Sequence, residues 1–160
     1  QIFSNCDSIL LQPTVLKNES VLQQFDKVYG KNIMENCINF LPKKDSEKFK
    51  NYLNGNRFSI CNMFITKVHY FKNYCEILFP WLNKCLDYCV KNNLCKNESI
   101  RLPIFLAERF TSYWFTENTN IKHLSFARLG KFLLSNKVNK FINPAKIPFT
   151  FRMYPTIHDY

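Results

Sequence analysis

The chain has 160 residues, 46% apolar and 16% aromatic, with only three glycines, and its 22 Lys and Arg against 12 Asp and Glu leave a formal charge of +10. So much apolar surface offsets the entropy of ordering one compact domain and excludes a disordered or collagen-like chain. Apolar runs such as Ile60-Cys61-Asn62-Met63-Phe64-Ile65 are interrupted far short of the roughly 20 residues of a membrane-spanning helix.

Cys6 to Pro13 reads as a short buried strand stopped by proline. Asn18-Glu19-Ser20 then starts a helix with Val21, Leu22, Phe25, Val28 and Tyr29 on one face, ended by Gly30. A second helix over 32–40 presents Ile33, Met34, Cys37, Ile38 and Leu41 and stops at Pro42. Asp45-Ser46-Glu47 opens a third helix carrying Phe49, Tyr52 and Leu53, with Gly55 past its end; the dipole favours carboxylates in a first turn, so these acids read as structural rather than as a metal clamp. Arg57 to Thr66 reads as one strand with the polar Asn62 inside it. Between 69 and 91, apolar residues from Phe71 to Cys89 recur at three- and four-residue steps, and Pro80 predicts a kink or a break near Phe79. A polar loop follows over Asn92–Ser99, then a helix over 102–116 with Leu102, Phe105, Leu106, Phe110, Tyr113 and Trp114 as its apolar face. Ile121–Phe126 is a short strand and Arg128–Phe141 a weak helix or loop. The expected organisation is a helix-rich α/β domain over 1–141 and a proline-containing extended tail over 142–160.

The charge favours anionic partners: nucleic acid, an acidic membrane surface or phosphorylated small molecules. The basic residues are spread thinly, one loose group running from Lys43 to Arg57 and another from Lys122 to Lys146, with no aromatic-interleaved binding signature. They read as a solvated surface, and no nucleic acid is expected as partner. Seven cysteines include no Cys-x-x-Cys pair; Cys85 and Cys89 share a helical face, and the set reads as small buried apolar residues of a reducing cytoplasm. No metal site is indicated within the chain, and three isolated glycines build no phosphate-cradling loop. His69, His123 and His158 stand far apart in sequence.

Glu108 stands out, because it borders the buried stripe of an otherwise apolar helix. A carboxylate there is paired or lies at the floor of a cleft. It is either a general base or one half of a structural ion pair with Arg109, which itself either binds phosphate or neutralises the acid.

Three segments in order, Ser59-Ile60-Cys61-Asn62-Met63-Phe64-Ile65-Thr66-Lys67, Phe71 to Phe79 with its Tyr74-Cys75, and Arg101-Leu102-Pro103-Ile104-Phe105-Leu106-Ala107-Glu108-Arg109-Phe110, resemble the later half of a bacterial family of capsular and exopolysaccharide sugar transferases. Upstream, Ser8-Ile9-Leu10-Leu11-Gln12-Pro13 is similar to that family's Asp-Ile-Ile-Leu-Pro strand, so the resemblance spans about 5–128. It implies the C-terminal half of a GT-A-type glycosyltransferase domain, with the nucleotide-binding half and any Mn or Mg ligands outside this chain; a first residue other than Met agrees with a piece of a longer protein. It implies a nucleotide-sugar donor and a saccharide or lipid-linked acceptor, in the cytoplasm with peripheral contact to the acidic inner face of the membrane. By it, Asn62, Met63 and Phe64 line the sugar pocket, Glu108 takes the proton of the acceptor hydroxyl, and Arg109 steadies Glu108 or the leaving diphosphate. The alternative is a non-catalytic binding or assembly module of a larger polysaccharide-biosynthesis protein.

Overall fold

The computed structural model describes residues 5–94 and 101–124, within one unit spanning Gln1–Ser125. Expectations placed on 95–99 and on 125–160 lie outside the described residues. In chain order the elements are β1 (Ser8–Leu11), β2 (Thr14–Val15), α1 (Val21–Tyr29), α2 (Ile33–Ile38), α3 (Lys43–Leu53), β3 (Arg57–Phe58), β4 (Phe64–Thr66), α4 (Val68–Lys91), α5 (Leu102–Asn118) and β5 (Ile121–Leu124). This is a helix-rich α/β fold.

β1 is the central strand of a three-stranded mixed sheet, antiparallel to β4 and parallel to β5. Ser8 stands opposite Thr66, and their hydroxyls, 2.7 Å apart, satisfy each other where Ser8 is buried. Just before β1, Asp7 accepts from Lys67 Nζ at 2.6 Å and from the Asn120 amide at 3.2 Å, clasping the starts of α4 and β5 to one strand end. β2 and β3 form a separate antiparallel pair.

The helix α1 begins with a reciprocal capping box between Ser20 and Gln23. It ends at Gly30, whose φ of +111° is a conformation that side-chain-bearing residues rarely adopt. Val28, expected on its inner face, is 56% exposed, whereas Gln24 is buried. The reversal has a partner behind it, since Gln24 carries the acceptor for a buried arginine. The third helix starts two residues early, at Lys43, because the extended Pro42 directs its carbonyl to the amides of Asp45 and Ser46.

Two expectations about chain continuity are corrected. Arg57–Thr66 is not one strand: β3 and β4 belong to different sheets, and between them Cys61 takes a left-handed φ of 67° that turns the backbone. Of the kink or break expected at Pro80, the break does not occur: α4 runs as one 24-residue helix. Proline removes one backbone bond, while Leu78 and Trp81 on either side are anchored in the core. No helix among the described residues is long and apolar enough to cross a membrane.

The core is aromatic. Phe49 packs edge-on to Trp81 and Phe110 and tilted against Tyr113, with ring centroids 4.9–5.9 Å apart. Trp81 donates its indole N–H to the Cys37 carbonyl at 2.7 Å, so its polar edge is satisfied inside. Cys6, Cys37, Cys85 and Cys89 are buried, Cys75 is half-buried, and Cys61 is exposed. The Cys85 thiol and burial push Cys37 well above the usual thiol range, consistent with packing rather than reactivity.

Candidate active site around Glu108

The helix α5 is buried at every position from Leu106 to Phe115 except Glu108, whose side chain is 14% exposed. Ile104, Glu108, Thr111 and Ser112 lie four, three and one residue apart and share one face. Along that face runs the loop 59–63 that joins β3 to β4, held by a succession of hydrogen bonds. The Ser59 amide donates to Ser112 Oγ at 2.8 Å, and the Tyr52 hydroxyl lies 2.7 Å from the same oxygen. The Cys61 amide donates to Glu108 Oε1. Asn62 donates its amide N–H to the Ile104 carbonyl at 3.3 Å and presents Oδ1 to Thr111 Oγ1 at 2.9 Å. Thr111 Oγ1 also lies 2.7 Å from the Ala107 carbonyl and 2.6 Å from the Tyr74 hydroxyl. Having one proton, it donates to one of the two oxygens while accepting from Tyr74.

The second oxygen of Glu108 accepts from Arg109 Nη1. Arg109 is only 3% exposed: Nη2 donates to Gln24 Oε1 at 2.7 Å, and the guanidinium carbon lies 4.6 Å from the centre of the Phe58 ring and 5.5 Å from that of Phe25. Its Nε has no hydrogen-bond partner among the described residues. Burial pulls the Arg109 pKa down against the opposing effect of Glu108. The same surroundings push the half-buried Tyr29 hydroxyl up to about 12, chiefly through burial, and hold the Cys61 thiol above its ordinary range through burial and the Glu108 charge.

Glu108, Arg109 and Asn62, all singled out in the sequence, thus meet at one place. Met63 follows on the same loop and is exposed, whereas Phe64 turns the other way and packs at 4.5 Å on Phe115 and 5.4 Å on Tyr74. Of the two parts open to Arg109, this burial supports steadying Glu108. Sequence reasoning missed Gln24, Thr111 and Ser112; adjacent hydroxyls inside an aromatic helix were the available signal. Tyr29, its ring stacked 4.7 Å from Phe105, was seen only as a core position.

The loop crosses the carboxyl end of β1, where the Leu11 carbonyl accepts from Ser59 Oγ at 2.8 Å. Ligand clefts of open α/β sheets lie outside the carboxyl ends of their strands. A separate hollow of about 400 Å³, lined by Asn32, Glu35, Asn36, Ile38, Asn39 and Lys50, shares no residue with this site. Among the described residues, no three His, Cys, Asp or Glu side chains are grouped to hold a metal ion.

Residues 1–119, which contain this whole arrangement, match a family described as Domain of unknown function (DUF4422). The chain belongs to the DUF4422 family. No curated protein and no solved structure matches it. Within this DUF4422 domain, the tie between loop 59–63 and α5 is built wholly from residues inside the matched range.

Proposed function

We propose that this DUF4422 chain is part of a GT-A-type sugar transferase that moves a glycosyl group from a nucleotide-sugar to a capsular or exopolysaccharide acceptor. The observation that carries the reading is the placement of Glu108: a partly open carboxylate on α5 beside the loop whose first residue binds the carboxyl end of the central strand, oriented by the Cys61 amide and the Arg109 guanidinium. Those two donors occupy two of the roughly four acceptor positions of a carboxylate. Another remains for an acceptor hydroxyl. The hydroxyl oxygen bonds to the anomeric carbon, its proton passes to Glu108, and the bond to the diphosphate breaks with its electron pair on the leaving oxygen. Asn62 and Met63, exposed on the adjoining loop, offer an amide and an apolar surface to the sugar. The formal charge of +10 suits an anionic donor and peripheral contact with an acidic membrane from the cytoplasmic side.

A second reading, a non-catalytic assembly module, is favoured by the depth of Arg109, which makes the pair a tie between α5, α1 and β3. The two part on Glu108→Gln, tested in the full-length protein with uridine and guanosine diphosphate sugars. A general base requires transfer per folded molecule to fall by at least ~100-fold with donor binding nearly kept, although loss of the charge beside the buried Arg109 also lowers the melting temperature. Transfer that survives the change removes Glu108 from the chemistry. A full-length protein that binds no nucleotide-sugar, and whose variant merely melts earlier, supports the module.

A further inference from the structure

The helix α4 carries two apolar stripes, and the described residues cover only one of them. Tyr74, Leu78, Trp81, Cys85 and Cys89 face the core. Beside them Val68, Phe71, Cys75, Phe79, Leu82, Leu86 and Val90 recur in steps of three, four, four, three, four and four. Val68 is 69% exposed, Phe79 56% and Val90 59%; Phe71 and Leu86 are exposed too, and Cys75 and Leu82 half-buried. Two successive 11-residue repeats keep such a row straight along a helix, here over about 33 Å at 1.5 Å per residue. Taking about 100–250 Å² for each fully exposed side chain, the row offers roughly 500 Å², the upper range for the largest apolar patch of an ordinary monomer.

We propose that α4 is a self-association face: two copies of this chain pack α4 against α4, antiparallel, about a two-fold axis beside Phe79. Three features select a second copy as the occupant. The row nearly mirrors itself about Phe79, so that Val68 meets Val90, Phe71 meets Leu86, Cys75 meets Leu82, and Phe79 meets its own copy. An isologous contact requires that self-complementarity. The flanking charges agree: Lys72 and Asp87 lie on the same side of the row, neither has an ion pair among the described residues, and antiparallel packing brings Lys72 of one copy to Asp87 of the other. Two rows bury about 1,000 Å², and their polar borders bring the contact to the ~1,200–2,000 Å² of a specific interface. Acidic lipid fits the same face less well, because Glu76 and Asp87 border it.

The test is sedimentation of the whole chain at micromolar concentration, together with cysteine cross-linking. The unaltered chain sediments as a dimer, and Phe79→Glu raises its dissociation constant by at least ~30-fold with circular dichroism unchanged. Lys72→Asp weakens the dimer, and adding Asp87→Lys restores it. With a short bismaleimide, Phe79→Cys cross-links to itself above the background of Cys61 and Cys75; Val90→Cys does so only when mixed with Val68→Cys. A chain that stays monomeric at 100-fold higher concentration, with or without flotation on phosphatidylglycerol vesicles, overturns the proposal. Self-linking of Val90→Cys as strong as that of Phe79→Cys overturns the antiparallel arrangement.

Discussion

On one side of α5, Phe110 and Tyr113 meet Phe49 and Trp81 through rings alone; on another, Glu108, Thr111 and Ser112 meet loop 59–63 through directed hydrogen bonds. Both faces belong to the same rigid helix, yet they specify structure differently. Ring packing is non-directional and scales with area, so it fixes that α5 is buried without fixing where one loop atom lies. The hydrogen bonds involve few atoms but give each loop residue an address, including the left-handed turn at Cys61 that β3 and β4 alone do not impose. A partly open carboxylate is positioned by this polar face and supported by the aromatic one.

The comparison is broken most severely from the aromatic side. Phe110 is fully buried against Phe49, Trp81 and Tyr113, so Phe110→Ala is expected to cost about 3–5 kcal/mol and lower the melting temperature by about 10 °C or more. A loss under ~1 kcal/mol in denaturant titration would mean that the rings are not close-packed. Arg109→Met comes next. It leaves Glu108 without its cation and Gln24 Oε1 buried without its donor, and should cost about 3 kcal/mol. Combining it with Glu108→Gln should recover part of that loss. Strict additivity in a double-mutant cycle would show that the two side chains do not act as a pair.

Much of this was legible in the sequence, for reasons that differ by element. Asn18-Glu19-Ser20 announced the start of α1, and Glu108 was conspicuous because a carboxylate beside large apolar residues demands a partner. The course of the chain at Cys61 was hidden, since no glycine marks the positive φ and the β-branched and aromatic residues around it read as one strand. Pro80 misled for the opposite reason: local propensity argues for a break, but residues on both sides of it are anchored in one core. Gln24 and Arg109 lie 85 residues apart, so neither indicates the other until the fold brings them together. The exposed row on α4 was merged with the buried one, because periodicity gives the spacing of apolar residues and not which of two neighbouring stripes is covered.

A smaller effect sharpens the polar side. Ser112→Ala removes the acceptor for the buried Ser59 amide and the partner of the Tyr52 hydroxyl, at an expected cost of about 2 kcal/mol. Amide exchange should then quicken at Ser59 and Cys61 but hardly in α4. Exchange that rises equally in both regions would dissolve the distinction between a packed face and an addressed one.

The smallest effect concerns the clasp at the start of β1, where pH reads the contribution. The Lys67 ammonium and the Asn120 amide hold the Asp7 carboxyl below the usual carboxylate range, and Asp7 in turn holds Lys67 above its usual range. A lowered carboxylate pKa stabilises the fold above the unfolded value, near 3.9, and that contribution disappears as pH falls through the folded one. A raised lysine pKa stabilises fully below about 10.4 and loses its effect as pH rises through the folded value. The stability difference between the unaltered chain and Asp7→Asn should therefore be level from about pH 5 to pH 10 and shrink at both ends. The Asn side chain still offers an oxygen to the Asn120 amide, so what disappears is the charge pairing. Because both partners are partly open to water, added salt should narrow the plateau difference. A difference that persists unchanged at pH 2 would assign the clasp to its hydrogen bonds rather than to its charges, and would place this exposed corner with the directed contacts of α5.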